Sequence, residues 1–319
     1  MRIRDDHDRP RRSLLAACCL AALAPAAAAA QTPAQPPPPA VGRFAEPGPG
    51  PVNTWWIEGP EGLVVVDFQR DTASAAAAIE RIRAVGKPVA ALLLTHPHPD
   101  HIGGLDQFKR AFPDAPLHAS RASAEEIEAD ARGYQRMTRG ALGDKAPARY
   151  PAPDRILADR DLLRIAGLDI EALELGPGEA AGATVFHLPA GGALFAGDVA
   201  VSGMTDFLLE GRTGAWLAQI ERLRAAFPGA RTLYPGHGAP GRPAAILDEA
   251  AGVLRFYRAR TAEAIARGET EGVRLSPAGV RAVADAVRQR YGERPPVALV
   301  PDLVEENAKA VGAELLGMR

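Results

Sequence analysis

Ten residues constrain this chain more than any others: Thr95-His96-Pro97-His98-Pro99-Asp100-His101-Ile102-Gly103-Gly104. Three of the chain's seven histidines fall within six positions, with an aspartate directly before the third. They follow an apolar run, residues 89–94, that reads as a buried strand. Imidazole and carboxylate are the donors that zinc and related divalent ions take. The fold must therefore carry this loop to a strand end and bring further donors to meet it. Pro97 and Pro99 fix their own φ and push His96 and His98 toward extended backbone, so part of the ordering entropy is removed in advance. Gly103 and Gly104 are expected to let the chain turn closely past the metal site into the next helix.

Further donors recur at the ends of later apolar segments. Asp198 closes Leu194-Phe195-Ala196-Gly197-Asp198, and His237 lies in Tyr234-Pro235-Gly236-His237-Gly238. Each stands beside glycine, where a side chain reaches a sheet edge. Val64-Val65-Val66-Asp67 is an earlier strand that ends in a carboxylate, and Gly176-Pro177-Gly178-Glu179 offers another.

In this order the residues resemble the metallo-β-lactamase superfamily, whose H-x-H-x-D-H signature is here His96, His98, Asp100 and His101. The resemblance runs over roughly residues 50 to 245. It implies an α/β fold, a four-layer αβ/βα sandwich, with a dinuclear metal site. His96 and His98 would hold one ion, Asp100, His101 and His237 the second, and Asp198 would bridge both. Glu179 stands where that family commonly has a histidine. It looks like the alkylsulfatase-like branch, although Asp198 departs from that branch and the chain lacks the length for its additional C-terminal domains. As a ligand, Glu179 would lower the net charge of the core and favour oxygen-preferring ions. The cofactor expected is a pair of divalent ions, Zn²⁺ first, with Mn²⁺ or Fe²⁺ accommodated. Asp67 is placed behind the ligands to orient them, with His187 on a strand near the site. His118 is read as a structural residue.

The activity implied is hydrolysis by a metal-activated water, with Asp100 holding the nucleophile and taking its proton. The bond would be of ester, lactone, thioester or amide type in a small-molecule substrate. No Gly-x-Ser-x-Gly elbow offers a competing nucleophile. A β-lactamase, an iron-dependent oxidoreductase on the same scaffold, and a noncatalytic metal-binding protein stay open as alternatives.

The N-terminus has its own character. Arg2, Arg4, Arg9, Arg11 and Arg12 precede an alanine-rich apolar run that ends in Ala28-Ala29-Ala30. Residues 1–30 therefore read as a signal peptide, and Arg11-Arg12-Ser13-Leu14-Leu15 fits a twin-arginine export signal to the periplasm. Pro25 interrupts the run, which is too short to span a bilayer. Leu15-Ala16-Ala17-Cys18 resembles a lipoprotein box, a competing reading disfavoured by its closeness to Arg12. Cys18 and Cys19 are the only cysteines, so the exported part needs no disulfide. Five arginines and three aspartates leave with the signal, making the remainder more acidic than the −2 of the whole chain. With no basic stripe, nucleic acid is excluded as a partner. Oligomeric state is not legible.

Residues 31–51, rich in proline, read as an unpacked linker. A metallo-β-lactamase-like domain is expected over 52–245 and a helical extension packed on it over 246–319. Strands are expected at 54–58, 63–68, 89–95, 117–119, 168–175, 184–188, 193–196 and 231–234. Helices are expected at 72–85, capped by Thr72, and at 213–227, capped by Thr213, with Trp216 in the core. Others follow at about 243–267, 277–291 and 302–317, with Ser276 and Asp302 as caps. The charged insert 120–157 is placed over the mouth of the site.

Overall fold

Every second residue of the early strands faces a different core, and that alternation organises the molecule. The computed structural model describes residues 38–48 and 50–317. The expected signal peptide, its twin arginines and both cysteines lie outside the described residues.

The first sheet runs β1 (Val41–Ala45), β2 (Asn53–Glu58), β3 (Leu63–Val66), β4 (Val89–Leu93), β5 (Leu117–Ser120) and β6 (Arg155–Leu157), paired in that order. Helices α1 (Thr72–Arg83), α2 (Pro99–Ile102), α3 (Leu105–Ala111), α4 (Arg121–Ala129) and α5 (Tyr134–Leu142) are interleaved with it. The second sheet contains β7 (Asp161–Ile165), β8 (Leu168–Glu174), β9 (Thr184–Leu188), β10 (Ala193–Gly197) and β11 (Thr232–Pro235), in the order β11-β10-β9-β8-β7. Then come α6 (Thr213–Ala226, before β11), α7 (Pro243–Ala266), a short hairpin of β12 (Thr270–Glu271) and β13 (Arg274–Leu275), α8 (Pro277–Tyr291) and α9 (Leu303–Leu315).

Val64 and Val66 turn inward with Ala91 and Leu93 against Ile170, Ala172, Phe186 and Phe195 of the facing sheet. Leu63 and Val65 turn outward with Leu92 onto Ala75, Ile79 and Ile82 of α1 and Phe108 of α3. On the far side, Val185, Leu194 and Leu233 pack on Trp216, Ile220 and Leu223 of α6 and Leu247 and Leu254 of α7. Three cores between four layers make the αβ/βα sandwich, with central strands such as β3 and β10 buried on both faces as their apolar runs required. Trp216 is 2% exposed and donates its Nε1–H to Val199 O at 2.7 Å.

Several expectations are corrected. The linker expected at 31–51 contains β1, whose Phe44 packs on the outward core while Arg43 donates to Asn53 Oδ1. Edge pairing with β2 supplies what its own sequence lacks. The boundary expected at 245/246 falls inside α7, and α7–α9 share the core of α6 and the second sheet, so the helical extension is part of one compact unit. Asp71, not Thr72, caps α1, accepting from the backbone N–H groups of Ala73 and Ser74. Arg212 precedes α6 without a side-chain cap. Glu314 of α9 satisfies that helix end instead, accepting from Thr213 N at 2.9 Å and Gly214 N at 3.0 Å. Among the described residues no helix is long and apolar enough to cross a membrane.

Candidate metal centre

The parallel pairs β3–β4 and β10–β11 end on the same edge of the sandwich. Bonds between the two sheets fasten that edge. Asn53 donates through Nδ2 to Pro235 O and Gly238 O, Trp55 Nε1 donates to Pro235 O at 2.9 Å, and Thr184 N donates to Thr95 O at 2.8 Å. On this floor the strand exits deliver His96, His98, Asp100 and His101 after β4, Glu179 after β8, Asp198 after β10 and His237 after β11. All seven come together, and all but Asp100 are buried.

Pro99 starts α2, and His98 precedes it in extended backbone, φ −64° and ψ 144°. Gly103 and Gly104 serve a different purpose from the one expected. A Cβ at Gly103 would sit 1.8 Å from Arg70 O, and one at Gly104 would sit 2.2 Å from Phe68 O. The two glycines let the ligand helix press on the segment after Asp67, not on the metal site.

The donors form two groups whose ligand atoms lie within 4.8 Å of one another: His96, His98 and Glu179, and Asp100, His101 and His237. In the first, His98 Nδ1 is 3.0 Å from Glu179 Oε1 and His96 Nε2 is 3.7 Å from Glu179 Oε2. In the second, His237 Nε2 is 3.2 Å from Asp100 Oδ2 and 3.4 Å from His101 Nε2. Asp198 joins the second group, with Oδ2 3.2 Å from His237 Nε2 and Oδ1 3.5 Å from His101 Nε2. Ligand bonds of 2.0–2.1 Å in a tetrahedron put neighbouring donors about 3.4 Å apart, which is the spacing seen. His96 Nε2, both Glu179 oxygens and Asp198 Oδ1 are buried without a hydrogen-bond partner, which is costly in a protein interior unless a cation gathers them. The residues fit divalent metal.

The opposite ring nitrogens are already used. His101 Nδ1 is 2.8 Å from Asp67 Oδ2, His237 Nδ1 is 2.6 Å from Pro51 O, and His96 Nδ1 is 3.0 Å from Thr95 Oγ1. Those contacts leave the three Nε2 atoms facing the centre. Asp67 also accepts from Thr95 N at 2.9 Å and Thr95 Oγ1 at 2.8 Å. Its proximity to His96 and His101 is thus a hydrogen-bonded network rather than a third metal position. His98 differs, with a carboxylate near each nitrogen: Glu179 by Nδ1 and Glu210 Oε1 3.5 Å from Nε2.

The charges compensate one another. Burial pulls His98 down, but Glu179 and Glu210 outweigh it and push it up to about 10. Burial likewise opposes His237, which Asp198 and Asp100 hold up at about 9. His101 is raised well above the usual range against its burial by Asp198, Asp67 and Asp100. Burial and the neighbouring positive rings of His101 and His98 keep His96 well below it. Burial raises Glu179, with His98 opposing. Cations entering here would replace protons.

His187, expected near the site, is elsewhere. Its ring lies 4.3 Å from that of Phe227 at a 35° tilt, and Nδ1 is 4.0 Å from Glu171. Its place on β9 turns it to the outer layer, where it pairs across from Leu194. His118 lies in β5 opposite Leu93, as a strand residue. Two participants carried no sequence signal. Glu210 is buried beside Arg132 and Arg212, and Arg70 Nη2 is 3.4 Å from Asp100 Oδ2 while donating to Gly50 O and Val297 O.

The chain matches the metallo-β-lactamase superfamily model over residues 47–237. It is 28% identical over 173 residues to a hydroxyacylglutathione hydrolase of Synechococcus sp., covering 52% of this chain and 57% of that protein. It is 30% identical over 212 residues to the acyl-coenzyme A thioesterase MBLAC2 of Bos taurus, covering 57% and 70%. The chain thus spans less than two thirds of the hydroxyacylglutathione hydrolases it matches. A β-lactamase domain protein from Burkholderia ambifaria has the same fold, with a TM-score of 0.61 and 20% identity over 86% of this chain and 84% of that one. Signature, donor order and sandwich agree: the chain belongs to the metallo-β-lactamase superfamily.

Proposed function

We propose that this protein is an exported, metal-dependent hydrolase that cleaves an ester-, lactone-, thioester- or amide-type bond at a dinuclear site. The observation that carries it is the pair of adjacent donor groups at tetrahedral-edge spacing, with four buried donor atoms left without hydrogen bonds. His96, His98 and Glu179 would hold one ion, and Asp100, His101 and His237 the other. Asp198 would stand between them, since its charge acts on His96 and Glu179 as well as on His101 and His237. Zn²⁺ suits the histidines, and the three carboxylates make room for Mn²⁺ or Fe²⁺. Bound divalent ions supply a Lewis acid and lower the pKa of water at neutral pH.

The chain's own contribution is positioning. Asp100 is the donor open to solvent, at 16% side-chain exposure. Although burial opposes it, His101, His237 and Arg70 keep its carboxyl well below the usual range, so it is ionised and placed to accept a hydrogen bond from the nucleophile and orient it. The names of the relatives, hydrolase and thioesterase, support bond hydrolysis. The arginine-rich, alanine-rich N-terminus supports export by the twin-arginine route.

The test is metal analysis of mature protein followed by an activity panel over those bond classes, with Asp100→Asn as the blank. Two ions per chain and an Asp100-dependent activity are expected, and Glu179→Gln should drop the content toward one. Protein that carries no transition metal and ignores chelators in its thermal stability would end the reading.

A further inference from the structure

A cavity of about 350 Å³ opens beside the donor groups, at the small end of ligand pockets. His98, Asp100 and Asp198 form its inner end. Its outer walls come from α5, through Met137 and Leu142, and from the segment before α9, through Val297 and Leu299, with Phe207 and Leu209 between them. The ionisable side chains at its inner end, Arg70, His98, Asp100 and Asp198, belong to the metal end, and the outer walls present no charged side chain.

Both walls are held in place. Val297 donates its N–H to Thr205 O at 3.1 Å and accepts from Arg70 Nη2 at 2.8 Å. Val297 also packs with Val201, Met204 and Leu303. Phe207 lies 5.4 Å from His98 and 5.8 Å from Tyr134, both edge-on. Five large hydrophobic side chains among the described residues are exposed, and two of them, Met137 at 59% and Leu299 at 54%, stand at this cavity. Exposed apolar groups gathered around a functional cleft mark what the cleft receives.

We propose that this cavity binds an apolar arm of the substrate, a straight alkyl or aryl group attached to the scissile carbonyl, and selects for its length. The inference rests on the hydrolase reading only for what is called the scissile group. The occupant is a small-molecule arm because the space is small and ends at the donors. A charged handle would find no counter-charge along the outer walls.

The probe is a series of straight-chain carboxylates, acetate to octanoate, titrated calorimetrically into the metal-loaded protein. The same acyl groups are then assayed as p-nitrophenyl esters. Burial of each methylene predicts about a fourfold gain in affinity per carbon until the cavity is filled. Met137→Asp and Leu299→Asp, on opposite walls at exposed positions, should each flatten that slope. Leu162→Asp, at an exposed position on β7, should keep it. A chain-length slope without hydrolysis of any ester supports this inference while counting against the hydrolase reading. Hydrolysis with a flat slope in both assays, or a slope unchanged in both wall variants, overturns the inference and leaves the hydrolase reading standing.

Discussion

Asp67→Asn isolates one hydrogen atom in the ligand network. Asp67 is 1% exposed with φ +59°, a left-handed conformation that asparagine tolerates as well as aspartate, so the backbone is unchanged. Oδ1 accepts from Thr95 N at 2.9 Å, and Oδ2 accepts from Thr95 Oγ1 and faces His101 Nδ1, both at 2.8 Å. If the amide oxygen keeps Thr95 N, the amide nitrogen must face His101 Nδ1, and the ring must move its proton to Nε2. That nitrogen faces His237 Nε2 at 3.4 Å and Asp198 Oδ1 at 3.5 Å, where a cation needs its lone pair. If the amide flips, its NH₂ meets the Thr95 N–H instead, and a buried donor is left unpaired.

Either arrangement weakens the position built from Asp100, His101 and His237. Partners behind metal-bound histidines are worth about 10- to 100-fold in metal affinity, which is about 1.4 to 2.7 kcal/mol. Competition for Zn²⁺ with a chromogenic chelator, followed by metal analysis, should show one tightly bound ion per chain kept and the second weakened by that factor. Two ions held within twofold of the wild-type affinity would refute the tautomer argument.

Other expectations follow from the same geometry. A histidine whose folded pKa lies above its ordinary 6.5 stabilises the fold below pH 6.5 and loses that contribution as pH climbs through the folded value. His98 and His237, at about 10 and 9, therefore predict that chelator-stripped protein loses Tm between pH 7 and 10. Zn²⁺ affinity should rise with pH over the lower part of that window; a flat Tm would count against the compensation. Gly103→Ala places a methyl 1.8 Å from the Arg70 carbonyl and should cost about 1–3 kcal/mol or more by denaturant titration. Gly140→Ala, in α5 with nothing within 4 Å, should instead stabilise by about 0.5–1 kcal/mol. Equal effects would sink the close-approach reading. Glu210→Gln removes one of the two carboxylates beside His98 and should loosen the ion held by His96, His98 and Glu179 while sparing the other, read as metal content after partial chelation. Unchanged content would make Glu210 a partner of Arg132 and Arg212 alone.

What could be read from sequence follows from how locally each feature is encoded. His96 to His101 are contiguous, and strands buried on both faces leave apolar runs that end at their donors, so the centre and the sandwich were legible. The helix over 277–291 carried its own cap, with Ser276 accepting from Gly279 N. Elements that depend on a distant partner were not legible. β1 and β6 are edge strands that exist by pairing with β2 and β5, and β7 pairs with β8 at the edge of the other sheet. The start of α6 is satisfied by Glu314, about a hundred residues away. His187 lies on a strand that the sequence sets near the site, and only the register of β9 against β10 turns it toward Phe227.

The same division runs through function. The superfamily chemistry sits in a short motif and a few strand ends, while the walls that would choose a substrate come from α5 and from 297–301, which carry no motif. A scaffold built this way can keep its donors and change its substrate through segments that never touch the metal. For this chain the physical basis of selectivity is therefore better sought in Met137, Phe207 and Leu299 than in the signature that identifies its family.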